Sequence, residues 1–170
     1  MALLILVAGS VQAQSKLESL FKKLGENDKM TVVYISKDMM SMIAAKGDST
    51  AGKGIKDLSN ELGFMRVISS QNLTPEEQAN YNNMINSVLS DGYTDYMNVS
   101  TKEGGKQTDV RMCVKPIDKD SISEFVIYVR EGKELTLIGI SGKIKNTDMM
   151  NLTKLGNLKG MLNQSMKSEK

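Results

Sequence analysis

One α+β domain, with an antiparallel or mixed sheet of about six strands and helices packed mainly on one face, is the fold class this sequence predicts. Three observations point there. Apolar residues recur at helical spacing through much of the first half, the period switches to two from Tyr93 onward, and a chain of 170 residues with 40% apolar content is the size of one core.

Each element has its own signal. Met1 to Ala8 is an apolar run too short to span a bilayer, and Val11 and Ala13 are small residues of the kind a signal peptidase accepts. Residues 1–13 therefore read as a signal peptide and residues 14–170 as the single domain. The run lacks a basic n-region, which leaves open a start upstream of Met1 or a buried N-terminal strand. Leu17, Leu20, Phe21 and Leu24 form the stripe of a first helix ending near Gly25. Thr31 to Ser36 is β-branched and aromatic, the pattern of a buried strand, and it runs into a short helix over Lys37 to Ala45 closed by Gly47. A Gly/Ser/Thr loop from Lys46 to Gly54 precedes another short helix over Ile55 to Leu62.

Phe64 to Ser69 resumes a strand, and Thr74-Pro75-Glu76-Glu77 is the clearest boundary in the chain: a cap, a first-turn proline and a capping-box glutamate. Tyr81, Met84, Ile85, Val88 and Leu89 give the following helix its apolar face, which stops at Asp91-Gly92. Strands over Tyr93–Thr101, Lys106–Lys115, Ile122–Arg130 and Glu134–Ser141 are separated by Gly104-Gly105, Pro116 and Gly132, so they form a meander. A last helix is expected from about Thr147 to Gln164. Val33-Tyr34-Ile35-Ser36 before Met39-Met40 is echoed by Ile138-Gly139-Ile140-Ser141 before Met149-Met150, an echo that a shared strand-to-helix turn explains more simply than duplication.

The pairing of Thr31-Val32-Val33-Tyr34-Ile35-Ser36-Lys37 with Leu137-Ile138-Gly139-Ile140-Ser141-Gly142-Lys143-Ile144 resembles the domain of unknown function 4252, a family of exported Bacteroidetes proteins, over about Lys16 to Leu162. The resemblance implies a periplasmic, cell-envelope or extracellular location and brings no catalytic residues with it. Gln14, not a cysteine, stands directly after Ala13, so the lipid anchor of lipidated relatives is not implied.

Composition removes whole classes of chemistry. With no histidine, a Ser-His-Asp triad, a Cys-His dyad and any His-rich zinc site are excluded. A net charge of +2 without a basic run argues against nucleic acid as a partner, and no segment after the leader is apolar for long enough to be a transmembrane helix. Gly47 to Lys53 matches the start of a P-loop, but Gly54 stands where a Ser or Thr would hold magnesium, so a linker is the better reading. Asp118 and Asp120 read as a solvated turn before a calcium site. Cys113 shares a strand face with Arg111 and Lys115, which would activate an exposed thiol, yet a lone cysteine is more often a small packing residue. Met39, Met40 and Met42, like Met149 and Met150, read as core filler ahead of soft metal ligands. No cofactor and no metal site is expected.

One pattern points outward. With Phe125, Ile127 and Val129 grouped with Leu135 and Leu137 under the helices, the other face still carries Val126, Tyr128, Ile138 and Ile140, with Tyr96 nearby. Either the last helix or a β-bulge hides these residues, or they form a surface for a protein or envelope partner. The expected function is therefore a non-enzymatic exported interaction module, with oligomeric state left open. The alternatives are a carrier with an apolar, Met-lined cavity and a hydrolase using carboxylates or Ser-Lys chemistry.

Overall fold

The structure, a computed structural model, describes residues 15–46 and 61–149. The expected signal peptide, the P-loop-like run, nearly all of the helix expected over Ile55 to Leu62, and the C-terminal helix beyond Met149 lie outside the described residues.

Helix α1 (Lys16–Gly25) begins at Ser15, whose Oγ accepts the Glu18 N–H at 3.1 Å, and all four of its expected apolar residues are buried. Strand β1 (Met30–Ser36) runs directly into α2 (Lys37–Lys46), and β2 (Leu62–Ser70) follows. Helix α3 (Pro75–Leu89) carries the complete capping box: Thr74 Oγ accepts the Glu77 N–H at 3.3 Å, and Glu77 accepts the Thr74 N–H at 2.8 Å. Strands β3 (Thr94–Glu103), β4 (Lys106–Pro116), β5 (Ser121–Glu131) and β6 (Glu134–Lys145) form the meander. Its turns rest on Gly104, Gly105 and Gly132, which take φ of 56°, 81° and 56°, angles that side chains with a Cβ resist.

The six strands make one fully antiparallel sheet in the order β1-β2-β6-β5-β4-β3. Register runs straight across it. Val33, Val67, Ile138, Ile127, Met112 and Met97 are successive cross-strand partners, and so are Val32, Ile68, Leu137, Tyr128, Arg111 and Asn98. Because alternate residues point to opposite faces, these two rows lie on opposite sides of the sheet.

The second row belongs to the helix face. There Leu17, Leu20, Phe21 and Leu24 of α1 and Tyr81, Ile85 and Leu89 of α3 pack on Ile68, Val126, Tyr128, Leu135 and Leu137. At Gly139 α1 comes close to the sheet, since a Cβ there would run into the Phe21 ring. The opposite face gathers Phe125, Ile127, Ile138, Ile140, Met65 and Val67, joined by Met40 of α2 and by Met149. Helices α1 and α3 thus share one face, while α2 contributes to the other.

Three expectations need correction. The grouping of Phe125, Ile127 and Val129 with Leu135 and Leu137 fails because Glu131 pairs with Glu134 across the turn, so odd positions of β5 face even positions of β6. Val126 and Tyr128 therefore join Leu135 and Leu137 beneath the helices, and Ile138 and Ile140 join Phe125 and Ile127 on the other side. Second, Thr31 to Ser36 is an edge strand, with Val32 45% and Tyr34 55% exposed and only Ile35 buried. Third, only some of the methionines are filler: Met40 and Met149 are buried, whereas Met39 and Met42 point outward because α2 has a single packed side.

Candidate functional site

The most elaborated surface among the described residues lies where α1 crosses the β1 edge. Tyr34 pairs with Arg66 and Ser36 with Phe64, which brings Tyr34, Arg66 and Phe64 together on the helix face. The Arg66 guanidinium carbon sits 5.3 Å from the Tyr34 ring centroid and 4.9 Å from that of Phe64, within cation–π range of both. The two ring centroids are 6.3 Å apart and tilted by 35°. From α1, Glu18 Oε1 accepts Arg66 Nη2 at 2.8 Å, so the guanidinium is fixed by an ion pair as well as by the rings.

Beside this stack is an open groove of about 510 Å³ lined by Phe21, Lys22, Gly25, Glu26, Val32, Tyr34 and Arg66. Gly25 brings the end of α1 close to the strand, since a Cβ there would stand 3.0 Å from Val32 Cγ2. The helix then leaves Val32 and Tyr34 uncovered. Along its outer side β1 pairs with no described strand. An aromatic and aliphatic floor, mixed charges at the rim and a backbone edge that pairs with no described strand are what an extended chain needs for strand addition with alternate side chains docked.

The five residues expected to form a partner surface are not brought together. Val126, Tyr128, Ile138 and Ile140 are all buried, and Tyr96 is half-exposed on the far edge strand β3. Tyr128 donates its hydroxyl to Asn82 of α3, which ties it into the interior. Cys113 is fully buried on the expected face with Arg111, and its Sγ donates to Asp95 at 3.2 Å. Burial first, and then that hydrogen bond, push the thiol up to about 12, although Arg111 opposes the shift. The same carboxylate accepts Arg111 Nε at 2.7 Å, so the cation that would have activated the sulfur is engaged by Asp95. Asp118 accepts the Asp120 N–H at 2.9 Å and so closes its own turn.

The family model of the domain of unknown function DUF4252 matches residues 21–152. The chain belongs to that family. The matched span of this DUF4252 domain starts at Phe21, inside the groove, and runs past β6. Among solved structures, the protein of unknown function PA94 from Pseudomonas aeruginosa is similar with a TM-score of 0.34 and 7% identity, over 82% of this chain and 81% of that one. No curated protein matches the sequence.

A second polar constellation in the DUF4252 domain also escaped sequence reasoning. Glu124, only 6% exposed, accepts the Tyr93 hydroxyl, and Lys115 Nζ lies 3.8 Å from it and 5.5 Å above the Tyr93 ring. Burial, reinforced by Glu124, raises the Tyr93 phenol well above its ordinary range. The carboxylate, phenol and ammonium satisfy one another, which makes this a part-buried tie between the start of β3 and the β4–β5 hairpin. No helix among the described residues is long and apolar enough to cross a membrane.

Proposed function

We propose that this chain is a non-enzymatic, exported contact protein of the cell envelope that holds an extended segment of a protein partner along β1, beside α1. The observation that carries this reading is the Tyr34–Arg66–Phe64 stack, prealigned by Glu18 and left open next to a strand edge that no described strand pairs. Aromatic and arginine side chains already held in place lose little freedom on binding, which is why such groups dominate contact energies. Export is supported by the apolar run Met1 to Ala8 with Val11 and Ala13 at the peptidase positions, and an envelope setting by the family resemblance.

The test is a pull-down from the envelope fraction with the wild type, Tyr34→Glu and Tyr96→Glu, each checked for unchanged thermal unfolding. A partner recovered by the wild type and Tyr96→Glu, lost with Tyr34→Glu, and photocrosslinked from position 34 supports the reading. Recovery of the same partners by all three proteins overturns it.

A further inference from the structure

The opposite edge of the sheet has a different character. All ten residues of β3 are exposed, and β4 is its one described neighbour. On the helix face the strand ends in closed polar pairs: Asp95 holds Arg111 at 2.7 Å, and Ser100 Oγ donates to Asp109 at 2.6 Å. On the other face two rows run outward to the edge. The row Val33-Val67-Ile138-Ile127-Met112-Met97 is apolar from one edge to the other, and the row below it finishes Val129-Val110-Val99. Both rows stop at half-open side chains, with Met97 39% and Val99 40% exposed. Edge strands are usually blunted by charge on the face that would otherwise recruit a neighbour. Here the charge lies on the helix face or at the β3–β4 turn.

We infer that β3 pairs antiparallel with β3 of a second copy of this chain, about a two-fold axis at Val99. The axis follows from face and charge. Opposed residues must share a face, so the axis falls on a single residue of the regular stretch that follows the register shift between Asp95 and Met97. At Val99, valine meets valine and Met97 meets Thr101 on the apolar face, while Asn98 meets Ser100 on the polar one. Lys102 then lies across from the irregular step carrying Asp95 and Tyr96, so a cation meets a carboxylate at both ends of the ladder. An axis at Ser100 sets Met97 against Glu103, and one at Asn98 moves Lys102 beyond Asp95. The arrangement is isologous and closes on itself, giving a dimer rather than a filament.

Sedimentation velocity over a range of protein concentrations, with single cysteines at positions 98, 99 and 100, tests this directly. The wild type is expected to dimerise reversibly, and Val99→Cys to give the most disulfide-linked dimer under mild oxidation, because directly opposed strand residues come within disulfide range. The native Cys113 is fully buried and stays out of the reaction. Val99→Lys should raise the dimer dissociation constant about tenfold or more, whereas Val32→Lys at the other edge should leave it unchanged. Met97→Lys repeats the test should Val99→Lys not fold. A wild type that stays monomeric throughout, or cross-linking that is strongest at position 98 or 100, overturns the proposal.

Discussion

The two edge strands of the sheet expose apolar side chains on opposite faces. At β1 the open residues are Val32 and Tyr34, on the side that α1 partly covers; at β3 they are Met97 and Val99, on the side away from α1 and α3. A joint between β1 of one copy and β3 of another would set Val32 and Tyr34 against Asn98 and Ser100, apolar against polar. Like edges therefore suit like partners, and the mismatch works against the head-to-tail pairing that would build open fibres. A dimer through β3 would also leave two β1 grooves at its far ends, able to hold two segments of one partner with added avidity.

That comparison requires the edges to be surfaces and the rows between them to be core, and the largest effects should fall in the rows. Phe125 is fully buried on the face away from α1, and Phe125→Ala should cost about 3–5 kcal/mol in chemical denaturation. Gly139→Ala should cost about 1–3 kcal/mol, because its Cβ would displace Phe21 and shift the helix that forms one wall of the groove. Thr74→Ala should cost about 1 kcal/mol by opening the α3 cap. Changes at the edges should be smallest. Val32→Lys and Val99→Lys should each stay within about 0.5 kcal/mol of the wild type, the first weakening capture of a partner segment and the second weakening the dimer.

A pH titration sharpens the cap prediction. Lys29 at 2.6 Å and the Thr74 N–H hold the Glu77 carboxyl at about 2, below its ordinary value of 4.5. A depressed folded-state pKa means that the contribution is complete above about pH 4.5 and is lost as pH falls toward 2. Unfolding midpoints measured across that window should fall less steeply for Glu77→Gln than for the wild type. Equal slopes would contradict the assignment.

Much of this fold is written locally. Thr74-Pro75-Glu76-Glu77 names its own cap, Leu17, Leu20, Phe21 and Leu24 name one buried stripe, and Gly104, Gly105 and Gly132 name the turns. The relative faces of β5 and β6 were legible in the turn at Gly132-Lys133, which sets Glu131 against Glu134, yet the expected grouping of Phe125 with Leu135 missed them. The position of β1 was not. A run such as Thr31 to Ser36 fits a central or an edge strand equally well, and its place depends on β6 pairing with β2 far away in sequence. The groove is harder still to read, since it arises from where α1 crosses the sheet. Nothing in Tyr34, Phe64 and Arg66 taken separately announces that they will stack.

Amide hydrogen exchange along the intact chain tests most directly whether this protein acts through its sheet edges. Amides of β3 around Val99 should slow as protein concentration rises, and amides of β1 around Tyr34 should slow only when the captured envelope partner is added. Exchange at both edges that is indifferent to concentration and to partner, with protection appearing elsewhere, would contradict it.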